Sequence, residues 1–151
     1  MRRRVRSRLI PWWIALPLAC SPAPDGTSPG APAEAERRWE AAALQDYRFD
    51  FQQQCFCVPE QAQPVTIEVR GGRVTRVVSR TTGQDITGAE GLYWRTVPEL
   101  FRVIEGARRD GVTPLEVRYD PELGYPTSIE AGSLAADAGA VYTVSNLQPL
   151  E

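Results

Sequence analysis

The sequence predicts an α+β domain, with two helices packed on one face of an antiparallel sheet in the order α-β-β-β-α-β-β-β. Two observations carry that expectation. The spacing of apolar residues switches twice from a helical period to a period of two. Each helical segment also precedes a strand-turn-strand pair built around glycine, VTIEVRGGRVTRVV in the first half and LEVRYDPELGYPTSIE in the second. The repetition reads as a weak internal duplication.

The first helix is expected over Glu34 to Asp46, where Trp39, Ala42, Ala43 and Leu44 fall at helical spacing and Arg37 and Glu40 face water. From Tyr47 the period is two. Tyr47, Phe49, Phe51, Gln53, Cys55 and Cys57 share one face of a strand, and Arg48, Asp50, Gln52, Gln54 and Phe56 share the other. Val65, Ile67 and Val69 alternate with polar residues, Gly71-Gly72 makes a hairpin turn, and Val74 to Val78 returns. Thr81 to Arg95 is polar and contains glycine, so it reads as a loop.

Thr96 and Glu99 have the spacing of a capping box and start the second helix. Val97, Leu100, Phe101, Ile104 and Arg108 mark one face of it, and Gly111 ends it. Leu115, Val117 and Tyr119 then alternate as a strand. Asp120-Pro121-Glu122-Leu123-Gly124 is turn chemistry, Thr127 to Ala131 continues, and Val141 to Leu147 closes the sheet.

The N-terminus has a different logic. Met1 to Arg8 is basic and Leu9 to Ala19 is apolar. Those 11 apolar residues fall short of a membrane span, which needs about 20. Residues 1–19 therefore read as a secretory signal peptide. They end in Leu16-Pro17-Leu18-Ala19-Cys20-Ser21, which resembles a bacterial lipobox, with Pro17 where that pattern carries Leu. The resemblance implies lipidation of Cys20. Residues 20–33 are Cys20 followed by SPAPDGTSPGAPA, a composition that buries too little apolar surface to order itself and suits a tether. Residues 34–151 form the single folded domain. The expected location is outside the cytoplasm, lipid-anchored at the cell membrane or outer membrane and facing the periplasm or exterior.

Composition limits chemistry. The chain has no His and no Lys, and its one Met is Met1. Ser-His-Asp and Cys-His nucleophile systems need an imidazole, and Schiff bases and phosphate-binding loops need the Lys. Zinc sites lose their His ligands, and three Cys do not make a four-Cys site. Of the 17 Arg, five precede Ala19 and no acid does, so the remainder carries 12 Arg against 19 acids, a formal charge of −7. So acidic a domain is a poor fit to nucleic acid. No cofactor and no metal site is expected.

Three segments together resemble a family of secreted bacterial proteins known only as a domain of unknown function. They are Tyr47-Arg48-Phe49 leading into Cys55-Phe56-Cys57-Val58-Pro59-Glu60, the Gly72-Arg73-Val74 return, and Tyr119-Asp120-Pro121-Glu122-Leu123-Gly124-Tyr125-Pro126. The resemblance spans Trp39 to Leu147. It implies a secreted or lipid-anchored α+β domain and assigns no catalytic residue.

Three constellations remain. With Cys20 lipidated, Cys55 and Cys57 are the thiols left over. They read as a local bridge or buried pair, as a redox pair, or as a soft-metal site. On an extended strand their Cα atoms would lie about 6.6 Å apart, near the upper limit for a disulfide, so a bridge requires a bend. Asp120, Glu122 and Glu130 read either as a solvated Pro/Gly turn or as a carboxylate site. Tyr93 and Trp94 in the long loop read as a binding patch or as a plug for the core. The expected role is a lipid-anchored envelope domain, binding or structural rather than enzymatic, attached to the membrane through Cys20 and facing an envelope protein partner. The alternative is thiol redox or soft-metal handling at Cys55 and Cys57.

Overall fold

Residues 31–136 and 138–151 are described by the computed structural model. The expected signal peptide, Cys20 and most of the expected tether lie outside them. Residues 31–33, expected in the tether, belong to the first helix instead.

Helix α1 (Ala31–Ala42) buries Ala35 and Trp39, four residues apart on one face, and an exposed Arg38–Glu34 pair at 2.9 Å runs along another. It ends earlier than expected because Ala43 turns to a positive φ of 50°. Strand β1 (Tyr47–Cys55) follows and puts Tyr47, Phe49, Phe51 and Gln53 into the core. A short helix α2 (Pro59–Ala62), absent from the expected order, precedes β2 (Val65–Arg70) and β3 (Arg73–Ser79). Gly71 and Gly72 join the last two strands with φ of 54° and 72°, the paired positive values that a tight hairpin needs.

Helix α3 (Val97–Arg109) buries Val97, Leu100, Phe101 and Ile104, as their spacing predicts, while Arg108 is exposed. Strands β4 (Leu115–Tyr119) and β5 (Pro126–Ala131), a 3-10 turn (Leu134–Ala136) and β6 (Ala140–Pro149) complete the chain.

All six strands form one antiparallel sheet in the order β3-β2-β1-β6-β5-β4. The fold is α+β. Both long helices lie on the Tyr47 face. Trp39 of α1 packs edge-on to Tyr47 at 5.2 Å between ring centroids, and the Val97 N–H of α3 donates to the Tyr47 hydroxyl at 3.1 Å.

The order does not express a duplication. The first meander starts at the centre with β1 and runs out to β3. The second starts at the opposite edge with β4 and runs in to β6, which pairs with β1. Equivalent strands of a repeat would occupy equivalent places, yet β1 is central and β4 is an edge. The helix-then-hairpin similarity reflects what each half needs to cover its strands.

Opposite the helices the sheet is polar. Asp50 accepts from Thr66 Oγ1 at 2.7 Å and Asn146 Nδ2 at 2.8 Å, and lies 3.4 Å from Arg80 Nη1. These bonds tie β1 to both neighbours. Asn146 sits at a register shift between β1 and β6, with a φ of 53°.

Candidate functional site

The Cys-Phe-Cys segment lies where β1 leaves the sheet. The strand ends at Cys55 and the chain bends through Phe56 and Cys57, with Val58-Pro59 opening α2. The bend brings the two Cα atoms to 5.3 Å and the sulfurs are bonded to each other. That answers the geometric objection from an extended strand. Between the bridged residues, Phe56 is 67 % exposed. Val58 is 54 % exposed beside it. While the sulfurs are joined, neither is a thiolate ligand.

The long loop reaches this end through Gln61 of α2. Its side-chain amide donates to the Tyr93 carbonyl and accepts the Tyr93 N–H, both at 2.9 Å. A buried amide thereby pairs with backbone as a strand would. Tyr93 and Trp94 differ in burial. Tyr93 is 55 % exposed at the surface, whereas Trp94 is buried in the core. The Trp94 indole N–H has no partner among the described residues.

The Tyr93 hydroxyl donates to Glu99 Oε1 at 2.9 Å. The other Glu99 oxygen takes the Thr96 N–H at 2.7 Å and the Thr96 hydroxyl at 3.0 Å, so the residues of the expected capping box also fasten the loop. Burial acts to raise the Glu99 pKa, but these bonds outweigh it and hold the carboxyl below its ordinary range. The hydrogen bond to Glu99 is the main reason the Tyr93 phenol is pushed up.

Arg95 connects the loop to the bridge. Its guanidinium lies 4.9 Å from the Tyr93 ring centroid and 5.4 Å from that of Tyr142. Its Nη1 donates to Gln53 Oε1 at 3.0 Å, and Gln53 Nε2 donates to Cys55 Sγ at 3.2 Å. Gln53, Gln61 and Arg95 were not among the expected site residues. Gln53 carried a signal, since it is a polar residue on the apolar face of β1. Gln61 and Arg95 carried none, because their partners lie 32 and 42 residues away in sequence.

Among the described residues, Asp120, Glu122 and Glu130 form no cluster that could hold a metal ion. Asp120 Oδ1 accepts the Glu122 N–H at 3.0 Å and the Leu123 N–H at 2.7 Å, which is the work of a turn. Glu122 and Glu130 are exposed. Elsewhere, α1, α3 and the β2–β3 turn enclose a cleft of about 300 Å³ with Trp39, Tyr47 and Phe101 in its lining and Glu36 and Glu40 beside them. No helix among the described residues is long and apolar enough to cross a membrane.

The arrangement defines a small α+β domain with a bridged Cys-Phe-Cys corner at the end of its central strand. Residues 31–149 match the family of unknown function DUF6174, and the chain belongs to that family. No curated protein and no solved structure matches the chain.

Proposed function

We propose that this chain is an exported, lipid-anchored envelope domain that binds a protein partner through the Cys-Phe-Cys corner. One observation carries the reading. Among the described residues, the exposed large hydrophobic side chains are Phe56, Val58 and Tyr93. Phe56 and Val58 flank Cys57, and Tyr93 is pinned to the helix that follows them. Exposed aromatics held on a rigid support are the usual anchors of protein interfaces, and holding them in place beforehand reduces the ordering cost of binding. The bridge supplies that rigidity for Phe56, and the bonds to Gln61 and Glu99 supply it for Tyr93. The basic N-terminus, the apolar stretch before Cys20 and the Pro/Gly/Ser-rich spacer support export and anchoring.

A photo-crosslinking side chain at position 56, introduced into the full chain in cells, is expected to yield a discrete protein adduct. The same group at Thr143, exposed on strand β6, is expected to yield none. Tyr93→Ser should weaken the captured complex by roughly 30-fold, the loss of a hot-spot contact of about 2 kcal/mol. Absence of a protein adduct from position 56, or an identical adduct from position 143, rejects the reading. Cys20→Ala tests the anchor separately, and release of the protein from the membrane fraction is the expected result.

A further inference from the structure

We propose that the Cys55–Cys57 bridge is a thiol–disulfide exchange site for a protein dithiol, with Cys57 the attacked sulfur, Cys55 the leaving group, and Gln53 and Arg95 the groups that stabilise it. This goes beyond the docking reading and stands apart from it, because a small thiol is enough to test it.

The two sulfurs are unequal. Cys57 is exposed and Cys55 is half-buried at the end of β1. An incoming thiolate therefore reaches Cys57 Sγ first. Attack there sends the electrons of the sulfur–sulfur bond to Cys55 Sγ, which needs a donor as its negative charge develops. Gln53 Nε2 lies 3.2 Å from that sulfur.

The orientation of Gln53 is fixed by chemistry. A guanidinium only donates, so the Gln53 atom facing Arg95 Nη1 at 3.0 Å must be the carbonyl oxygen. The amide N–H group is left facing Cys55. Acceptance of a charge-assisted bond at Oε1 also polarises the amide and strengthens it as a donor at Nε2. Arg95 itself enters no ion pair among the described residues, so its charge is not spent on a carboxylate. Arg95 and Gln53 are positioning residues here, and the sulfurs are the reacting atoms.

One thiolate of the partner's dithiol attacks Cys57 Sγ, the bridge breaks, and Cys55 leaves as a thiolate that takes a proton from solvent. The second thiolate attacks the partner sulfur now joined to Cys57 and releases the Cys57 thiolate, which is protonated in turn. The partner dithiol loses two electrons and becomes a disulfide. The bridge gains them and becomes two thiols.

The test uses the full chain carrying Cys20→Ala, so that only Cys55 and Cys57 respond. Glutathione is added and the products are trapped by rapid alkylation. Glutathione is expected on Cys57 and the alkyl group on Cys55. A dominant adduct on Cys55, or an even split, overturns the proposal. The pH dependence of alkylation is then read in single-thiol chains. With Cys57→Ser, Cys55 is expected to titrate at least about one unit below the ordinary thiol value near 8.5. With Cys55→Ser, Cys57 is expected to titrate near that value. Cys55 titrating at or above Cys57, with Gln53 and Arg95 still in place, overturns the proposal. Adding Gln53→Leu or Arg95→Met to the Cys57→Ser chain should raise Cys55 back toward its ordinary value. No rise with either substitution overturns the roles given to these two residues. A failed photo-crosslink at position 56 leaves all of these outcomes standing.

Discussion

Gly124→Ala is expected to destabilise the domain by about 2–5 kcal/mol, the sum of a left-handed backbone penalty and an overpacking term. Gly124 has a φ of 79° and is buried. A Cβ there would overlap the Ala35 carbonyl of α1 and press on Arg38. The turn around it is closed by Asp120 N–H to Tyr125 O at 2.9 Å and Gly124 N–H to Asp120 O at 3.0 Å. Tyr125 then packs edge-on to Trp39 at 6.4 Å. The Tyr-Asp-Pro-x-x-Gly-Tyr-Pro segment is therefore the seat on which α1 rests. Gly91→Ala is the control, with a φ of 77° and open space around it. It should cost only the backbone part, about 1–2 kcal/mol. Thermal unfolding of the two variants reads the difference. Equal losses would show that contact with α1 contributes nothing at Gly124.

Tyr47→Ala is expected to cost about 3–5 kcal/mol, as for other buried aromatics cut to alanine. Tyr47 is fully buried, stacks on Phe49 at 5.9 Å and meets Trp39 edge-on. Tyr47→Phe keeps the ring but strands the Val97 N–H at the start of α3, with an expected loss of about 1–3 kcal/mol. The hydroxyl also makes stability depend on alkaline pH. Burial pushes the Tyr47 phenol up to about 12, against an opposing hydrogen bond from Val97. Its folded pKa exceeds its unfolded one, so the stabilisation is complete below pH 10 and is lost as pH rises from about 10 to 12. Denaturant unfolding across that window should show a steeper fall for the wild type than for Tyr47→Phe. Parallel curves would mean that Tyr47 ionises as easily in the folded state as in the unfolded chain.

Local chemistry made much of the fold legible. The period of two through Tyr47, Phe49 and Phe51, the paired glycines at 71 and 72, and the Thr96–Glu99 spacing each rest on contacts within a few residues. What was not legible depends on distant partners. The end of α1 is set by backbone at Ala43 rather than by a helix-breaking residue. Helix α2 is too short to show a period. The central β1–β6 pairing joins the first and last strands, and no local pattern announces it. The site divides the same way. The Cys-Phe-Cys segment and Tyr93 stood out as sequence, while the Arg95–Gln53–Cys55 chain exists only because the long loop folds back over the end of β1. Trp94 is buried and Tyr93 exposed, a difference that adjacent aromatic positions in a loop do not reveal.

The Cys55–Cys57 bridge holds the corner that carries Phe56 and is the bond proposed for exchange. Its most direct test is the intact mass of the full chain isolated from cells without reductant, before and after alkylation under denaturing conditions. The expected mass is lower by the two thiol hydrogens, with Cys55 and Cys57 refusing the alkylating reagent until a reductant is added. Free alkylation of both residues in unreduced protein would contradict it, removing the support for Phe56 and the bond that exchange requires.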